Sequence, residues 1–256
     1  MEKPLFNKVA GNFAADLDFV KLSEEAQVLL DNAYVGIPNS EVWDYHVYML
    51  GIGTEDTGCW VNPMVRSWMH PADHLQYDIF INSSGIRDLE RADQQYQERI
   101  ITLVRNFPKT PKMCILALDK CYNPDGNVNE ANTKFYVPNE YVVGLSKTYP
   151  ELFIPCISVH PYRPDALEEL EKWAKEGVKM LKWMPSVMGI DASHSKCDAF
   201  YDKMKTYGMV LLTHTGKEDI MPVIEYLPVA FPAAVRSWRK GNYGALRQFG
   251  PKSGSG

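Results

Sequence analysis

The feature that most constrains this chain is the alternation of short apolar runs with amphipathic segments from about residue 42 onward. Runs rich in β-branched, aromatic and aliphatic residues predict strands, and apolar residues at helical spacing predict helices. The predicted strands are VWDYHVYML (42–50), MCILALD (113–119), LFIPCISVHP (152–161), VKMLKWMP (178–185) and MVLLTHTG (209–216). The predicted helices lie within residues 87–107, 139–149, 164–177 and 197–208. Strands that alternate with helices predict an α/β fold with a parallel sheet and right-handed crossovers.

Two parallel architectures remain open from this pattern, an open doubly wound sheet and a (β/α)8 TIM-type barrel. The chain of 256 residues is close to the size of one such barrel. No glycine-rich phosphate loop follows any predicted strand, which disfavours a dinucleotide-binding doubly wound sheet. Residues 50–87 show no clear period, and HPADH (70–74) is interpreted as part of a loop.

The formal net charge of −5 conceals an uneven distribution along the chain. Residues 227–256 hold five basic residues and no acidic one, which leaves 22 basic and 32 acidic residues in 1–226, a net charge of −10. This balance disfavours nucleic acid or an anionic membrane as the main partner. A solvated, disordered tail is the simplest interpretation of residues 227–256.

Hydropathy and cysteine content indicate the compartment. No apolar stretch reaches the length of a membrane span, and the N-terminal sequence lacks the core of a signal peptide. The five cysteines form no CxxC pair, which is typical of reduced thiols in a cytoplasmic protein.

Polar side chains stand at the ends of four of the five predicted strands: Asp44 and His46 in the first, His160 in the third, Lys182 in the fourth and His214 in the fifth. The carboxyl ends of parallel strands share one face of the sheet, where barrel active sites lie. Imidazoles that converge with a carboxylate and a lysine suit a divalent metal that activates water. Each residue also has a structural interpretation, as a hydrogen-bonded histidine or a lysine that reaches the rim.

His70 and His74 form a second candidate pair, because their i, i+4 spacing would place both on one face of a helix. Their position in a predicted loop argues against a metal site there. No nucleophile elbow accompanies the serines or cysteines, so a Ser/His/Asp or Cys/His mechanism has no support.

Four segments together resemble the amidohydrolase superfamily of metal-dependent hydrolases, in particular its amidohydrolase-2-like branch. They are WDYHVYMLGIG (43–53), SVHPYRPDALEEL (158–170), VKMLKWMPSVMGID (178–191) and LLTHTG (211–216). The resemblance implies a (β/α)8 barrel with one or two divalent metals, most commonly zinc. It also implies a water nucleophile that attacks an amide, ester or related bond of a small-molecule substrate. Some members are decarboxylases, so that reaction remains an alternative.

The resemblance assigns roles to six residues. Asp44 and His46 match the first two places of the family's Asp-x-His-x-His strand end, but Tyr48 stands where the second metal histidine belongs. His214 matches the metal histidine after strand five. These matches imply that His46 and His214 hold the metal and that Asp44 supports it. Lys182 and His160 are expected near the substrate, and Lys182 also falls near the position at which some relatives carry a carbamylated lysine.

The family's later metal residues, a histidine after strand six and an aspartate after strand eight, are absent from the sequence. We therefore expect a barrel of five βα units over 42–226, preceded by a helical or irregular segment over 1–41. Residues 227–256 are then a non-native or disordered tail. One hypothesis is a shifted reading frame. If each codon of residues 241–253 is read from its second base, a permitted choice of synonymous codons encodes VIMAHCASLGRKA, a strand followed by the family's Ala-His-Cys. A genuine basic tail and an artificial terminus are the alternatives.

Three classes of function follow from the sequence. The first is an amidohydrolase-type metalloenzyme, impaired in this chain. The second is an inactive fragment or pseudoenzyme, and the third is a non-enzymatic module whose basic tail binds an acidic partner. The sequence leaves the substrate and the oligomeric state open.

Overall fold

A computed structural model describes residues 22–38 and 41–214. The predictions for residues 1–21 and for 227–256, including the shifted reading frame, lie outside these residues. The helices are α1 (Glu24–Ala33), α2 (Pro71–Ser83), α3 (Ala92–Arg105), α4 (Asn139–Thr148), α5 (Ala166–Lys175), α6 (Pro185–Met188) and α7 (Lys196–Thr206). The strands are β1 (Trp43–Tyr48), β2 (Trp60–Val61), β3 (Lys112–Leu116), β4 (Phe135–Tyr136), β5 (Phe153–Ile157), β6 (Met180–Trp183) and β7 (Val210–Thr213).

The main sheet contains five strands in the order β1-β3-β5-β6-β7, and the pairings β5–β6 and β6–β7 are parallel. This order follows the chain in one direction, whereas a doubly wound sheet reverses its order at a switch point. The sheet therefore confirms the predicted α/β fold of TIM-barrel type, built from five parallel strands. All five strands and all four helices that the sequence predicts are present at the expected places.

The chain divides into two compact units. Unit 1 consists of residues up to 115 together with 140–154, and unit 2 consists of 116–139 together with the residues from 155 onward. In unit 1, α3 buries Tyr96, Ile101 and Val104, and β3 is buried from Met113 onward. In unit 2, α5 buries Ala166, Leu170, Trp173 and Ala174, the i, i+4, i+7, i+8 face that its sequence predicts.

Residues 70–74 correct one expectation from the sequence. They were predicted to be a loop, but α2 begins at Pro71, so His70 occupies the N-cap position and His74 lies in the first helical turn. Apolar residues occur around most of α2 rather than on one stripe, and the sequence therefore shows no helical period there. Pro71 at the first helical position and Asp73 in the first turn are its start signals, and His70 makes no side-chain cap.

All five cysteines are free and buried. Burial raises the pKa of Cys59 to about 12, of Cys121 to about 11 and of Cys197 to about 12. None of the helices within 22–38 and 41–214 is long and apolar enough to cross a membrane.

Candidate functional site

Lys182 and His214 lie on neighbouring parallel strands of unit 2. Lys182 is opposite Leu212 in the β6–β7 register, and the His214 N–H donates to the Trp183 carbonyl at 3.0 Å. The Trp183 ring packs against Phe200 of α7 at 5.3 Å between centroids, so this helix covers the Trp183 face of β6. Side chains alternate along a strand, and Lys182 therefore faces the opposite side of the sheet, as does its register partner Leu212 on β7. His214 directly follows β7, at the carboxyl end of that strand. The lysine is only 1% exposed.

His160 follows β5 and is fully buried. Its Nδ1 accepts a hydrogen bond from the Tyr162 N–H at 3.1 Å, and its Nε2 lies 2.9 Å from the Met188 carbonyl oxygen. Since Nδ1 accepts, Nε2 carries the proton and donates to Met188, which assigns the tautomer from the network. Burial lowers the pKa of His160 to about 4, so the ring is neutral near pH 7. Both ring nitrogens are bonded to backbone in this arrangement.

Asp119 is a buried carboxylate beyond β3 that the sequence analysis did not select. It accepts hydrogen bonds from the His160 N–H at 2.8 Å, from Arg163 at 3.1 Å and from the Lys120 N–H at 2.8 Å. Burial raises the pKa of Asp119, and the Arg163 guanidinium opposes this change. Arg163 also forms a bidentate pair with Asp165, at 2.9 and 2.8 Å, which lowers the pKa of that carboxyl.

A signal for Asp119 was present in the sequence, because MCILALD ends on an aspartate just as the other strand runs end on polar residues. Arg163 had no such signal, since a surface arginine and a buried one have the same sequence appearance. Together Asp119, His160 and Arg163 fix the segments that follow β3 and β5. His160 also connects these two segments to the one that follows β6, through its hydrogen bond to the Met188 carbonyl oxygen.

The predicted residues of unit 1 lie along β1. The His46 N–H donates to Asp44 Oδ1 at 2.9 Å, so this carboxylate bonds the backbone of its own strand. The His46 and Tyr48 rings meet edge to face at 5.0 Å between centroids, which shows that alternate β1 side chains share one direction. Asp44, His46 and Tyr48 therefore belong to unit 1, whereas His160, Lys182 and His214 belong to unit 2.

The donors in the described part of the chain do not fit a tight metal site. Among residues 22–38 and 41–214, no group of three or more His, Cys, Asp or Glu side chains is arranged to hold a metal ion. The His74 ring lies 4.2 Å from that of Trp68, and its Nε2 lies 3.8 Å from Asp78, but neither ring nitrogen has a hydrogen-bond partner. Structural and catalytic zinc sites use at least three protein ligands.

Comparisons with known proteins identify one structural neighbour. No protein-family model matches the chain, and no curated protein matches it significantly. An uncharacterized TIM-barrel protein from Bordetella bronchiseptica is similar in structure, with 13% sequence identity and a TM-score of 0.46. The match covers 77% of this chain and 61% of that protein.

Proposed function

We propose that this chain is a hydrolase of the amidohydrolase type, which acts on a small-molecule substrate at the carboxyl ends of its parallel strands. The observation that carries the proposal is the position of Lys182 near the carboxyl end of β6 and of His214 directly after the neighbouring strand β7, at the edge where barrel enzymes hold their substrates. Both residues lie in segments that resemble the superfamily.

The buried residues of unit 2 define what the site offers a substrate. Lys182 supplies amine hydrogens that can bond a carbonyl or carboxylate oxygen in a position sheltered from water, where such bonds are strong. His160 holds the surrounding segments rather than exchanging a proton, because both of its nitrogens are bonded and its pKa is about 4.

Metal binding is the part of the family's chemistry that the described residues support least. The resemblance implies zinc held by His46 and His214, but the described residues provide no set of three donors. We therefore expect weak, substoichiometric zinc, and we assign no reaction step to the metal.

An inactive member of the superfamily is the second candidate. Tyr48 favours it, because a neutral phenol at the position of a family metal histidine is a poor zinc ligand near pH 7. The bonded nitrogens of His160 favour it as well, since they leave the ring no lone pair for a metal.

Zinc content and hydrolysis together test these alternatives. The purified chain is dialysed against zinc and analysed for bound metal. The variant His214→Ala and the matched control His194→Ala are treated in the same way. His194 lies in the segment before α7. We expect well below one equivalent of zinc in the wild type, less in His214→Ala and no change in the control. Slow hydrolysis of activated esters and amides should fall at least tenfold in Lys182→Met, with circular dichroism confirming its fold.

Other outcomes have definite meanings. A full equivalent of tightly bound zinc that survives His214→Ala would show that other ligands hold it, and would overturn the assignment of this residue. Hydrolysis that Lys182→Met leaves unchanged would place the reaction elsewhere. Absence of both zinc and hydrolysis in the wild type would favour the inactive member.

A further inference from the structure

Unit 1 carries an apolar surface along α2 that no function described above uses. The surface consists of five apolar residues that are exposed to solvent: Trp68, Met69, Ala72, Leu75 and Ile79. Trp68 is 81% exposed and Met69 87%, and Leu75 and Ile79 are about half exposed. We call these five residues the α2 stripe.

The α2 stripe begins in the turn before Pro71 and continues along the helix. Ala72, Leu75 and Ile79 follow an i, i+3, i+7 spacing, which places them on one face of α2. Trp68 and Met69 lie in the turn before Pro71, where the Trp68 ring packs against that of His74. Ala72 to Ile79 spans about 10 Å at the helical rise. The buried contact of α2 is made by Tyr77, on another face.

We propose that the α2 stripe is the interface of a homodimer, in which α2 of a second copy lies antiparallel to it about a two-fold axis. Each chain would bury on the order of 500 Å², judged from the exposed fractions and the size of such side chains. Two copies therefore bury roughly 1,000 Å², which is the lower limit for a specific interface. An apolar patch of this size on a single chain commonly marks an interaction site.

The order of residues along the stripe favours a second copy as the occupant. A two-fold axis between Ala72 and Leu75 sets Ala72 of one chain against the larger Leu75 of the other. Ala72 near the axis lets the two helices approach closely. Such a pairing is self-complementary, as a two-fold interface requires, and it opposes the two helix dipoles.

The charge around the stripe argues against an anionic membrane as the occupant. Helices that lie on such membranes carry several lysines or arginines on their polar face. Residues 63–84 contain one cation of this kind, Arg66, together with the carboxylates Asp73 and Asp78. Trp and Met are enriched in the cores of protein interfaces, whose centres are depleted of charge.

Sedimentation velocity of the full-length chain over a range of concentrations tests the proposal. We expect a concentration-dependent dimer, and we expect the double variant Trp68→Ser/Met69→Ser to raise its dissociation constant at least tenfold. The matched control is Val28→Ser/Leu29→Ser, which changes two comparably exposed apolar residues of α1, at 58% and 70% exposure. This control should dimerise like the wild type.

A cross-linking measurement locates the axis. All five native cysteines are buried, so Leu75→Cys adds a single exposed thiol close to the proposed axis. Mild oxidation should convert this variant to a disulfide-linked dimer much faster than Leu89→Cys, an exposed position of unit 1 outside the stripe.

Three results would overturn the proposal. The first is a wild type that stays monomeric up to about 100 µM, a concentration at which even a weak specific dimer forms. The second is a dimer whose dissociation constant is unchanged in Trp68→Ser/Met69→Ser. The third is a monomer in which Trp68→Phe leaves the acrylamide quenching of the tryptophan fluorescence unchanged, which would show that other residues of the same chain cover the stripe.

Discussion

At the scale of single residues, His160 shows how tertiary contacts set the chemistry of a side chain. The family resemblance implies a substrate-facing role for it, and that role remains a prediction. The structure adds that its nitrogens bond the backbone of Tyr162 and Met188 and that burial keeps the ring neutral. Neither partner is visible in the sequence, because both contacts join segments that only the fold brings together.

The low pKa of His160 predicts acid destabilisation. In the unfolded chain its pKa is near 6.5, and in the folded chain it is about 4, so the unfolded state binds the proton first as the pH falls. The free energy of unfolding should therefore drop between pH 6.5 and 4, by up to about 3 kcal/mol from this group. Urea unfolding at several pH values measures the slope.

His160→Gln provides the comparison. This variant should be less stable at pH 7, and its stability should depend less steeply on pH below 6.5. His194→Gln, a change to a partly exposed histidine of the same unit, should retain the wild-type slope. An unchanged slope in His160→Gln would contradict the assignment.

At the scale of elements, the first turn of α3 holds the segment that follows β1 in place through hydrogen bonds. Asp93 is fully buried and accepts hydrogen bonds from the N–H groups of Ile52 at 2.6 Å and Gly53 at 3.2 Å, and from the Thr57 hydroxyl. In return, the Asp93 N–H donates to the Thr54 hydroxyl at 3.1 Å. One buried carboxylate thus accepts from three donors of a partly buried segment.

Removing this carboxylate should loosen the segment. Asp93→Ala leaves its donors unsatisfied, and we expect the free energy of unfolding to fall by about 2–4 kcal/mol. Thr57→Val removes a single donor and should cost about 1 kcal/mol. Denaturant unfolding gives both values, and faster amide exchange at Ile52 and Gly53 in Asp93→Ala would locate the effect. Equal losses in the two variants would contradict this account.

The elements also show where sequence reasoning succeeds. The helix α5 was predictable because its apolar residues form one face and Gly177, with a φ of 90°, follows its end. The helix α2 was not, because its apolar residues are spread around the axis and a proline at its start reads equally well as a turn. Hydropathy periodicity detects apolar residues that are confined to the buried face of a helix, whereas α2 also carries Leu75 and Ile79 on its exposed face.

At the scale of the whole molecule, a parallel α/β sheet was predictable, since strands that alternate with helices leave few topologies. The pattern alone left a doubly wound sheet and a barrel open, and the family resemblance implied the barrel. The candidate site was predictable only as residue types at strand ends. The β6–β7 pairing that brings the ends of these two strands together was not visible in the sequence. The anchoring of Asp119 by Arg163 was not visible either, because it depends on the path of the segment after β5.

Unit 1 is discontinuous in the chain, which predicts how fragments behave. Residues 1–115 alone lack 140–154, where Val142 and Leu152 are buried and the Leu152 carbonyl accepts from the Met113 N–H at 2.8 Å. We expect this fragment to show no cooperative thermal unfolding and little near-ultraviolet circular dichroism, unlike the full chain. A sharp transition in the fragment would show that 1–115 is self-sufficient.

The five buried thiols are natural probes of local opening in this molecule. A buried, protonated thiol reacts with an alkylating reagent only while the structure around it is open. Two of the cysteines report on unit 1, Cys59 and Cys114, and three report on unit 2, Cys121, Cys156 and Cys197. The rate at which each cysteine is alkylated therefore measures how often the structure around it opens, and no residue has to be introduced for the measurement.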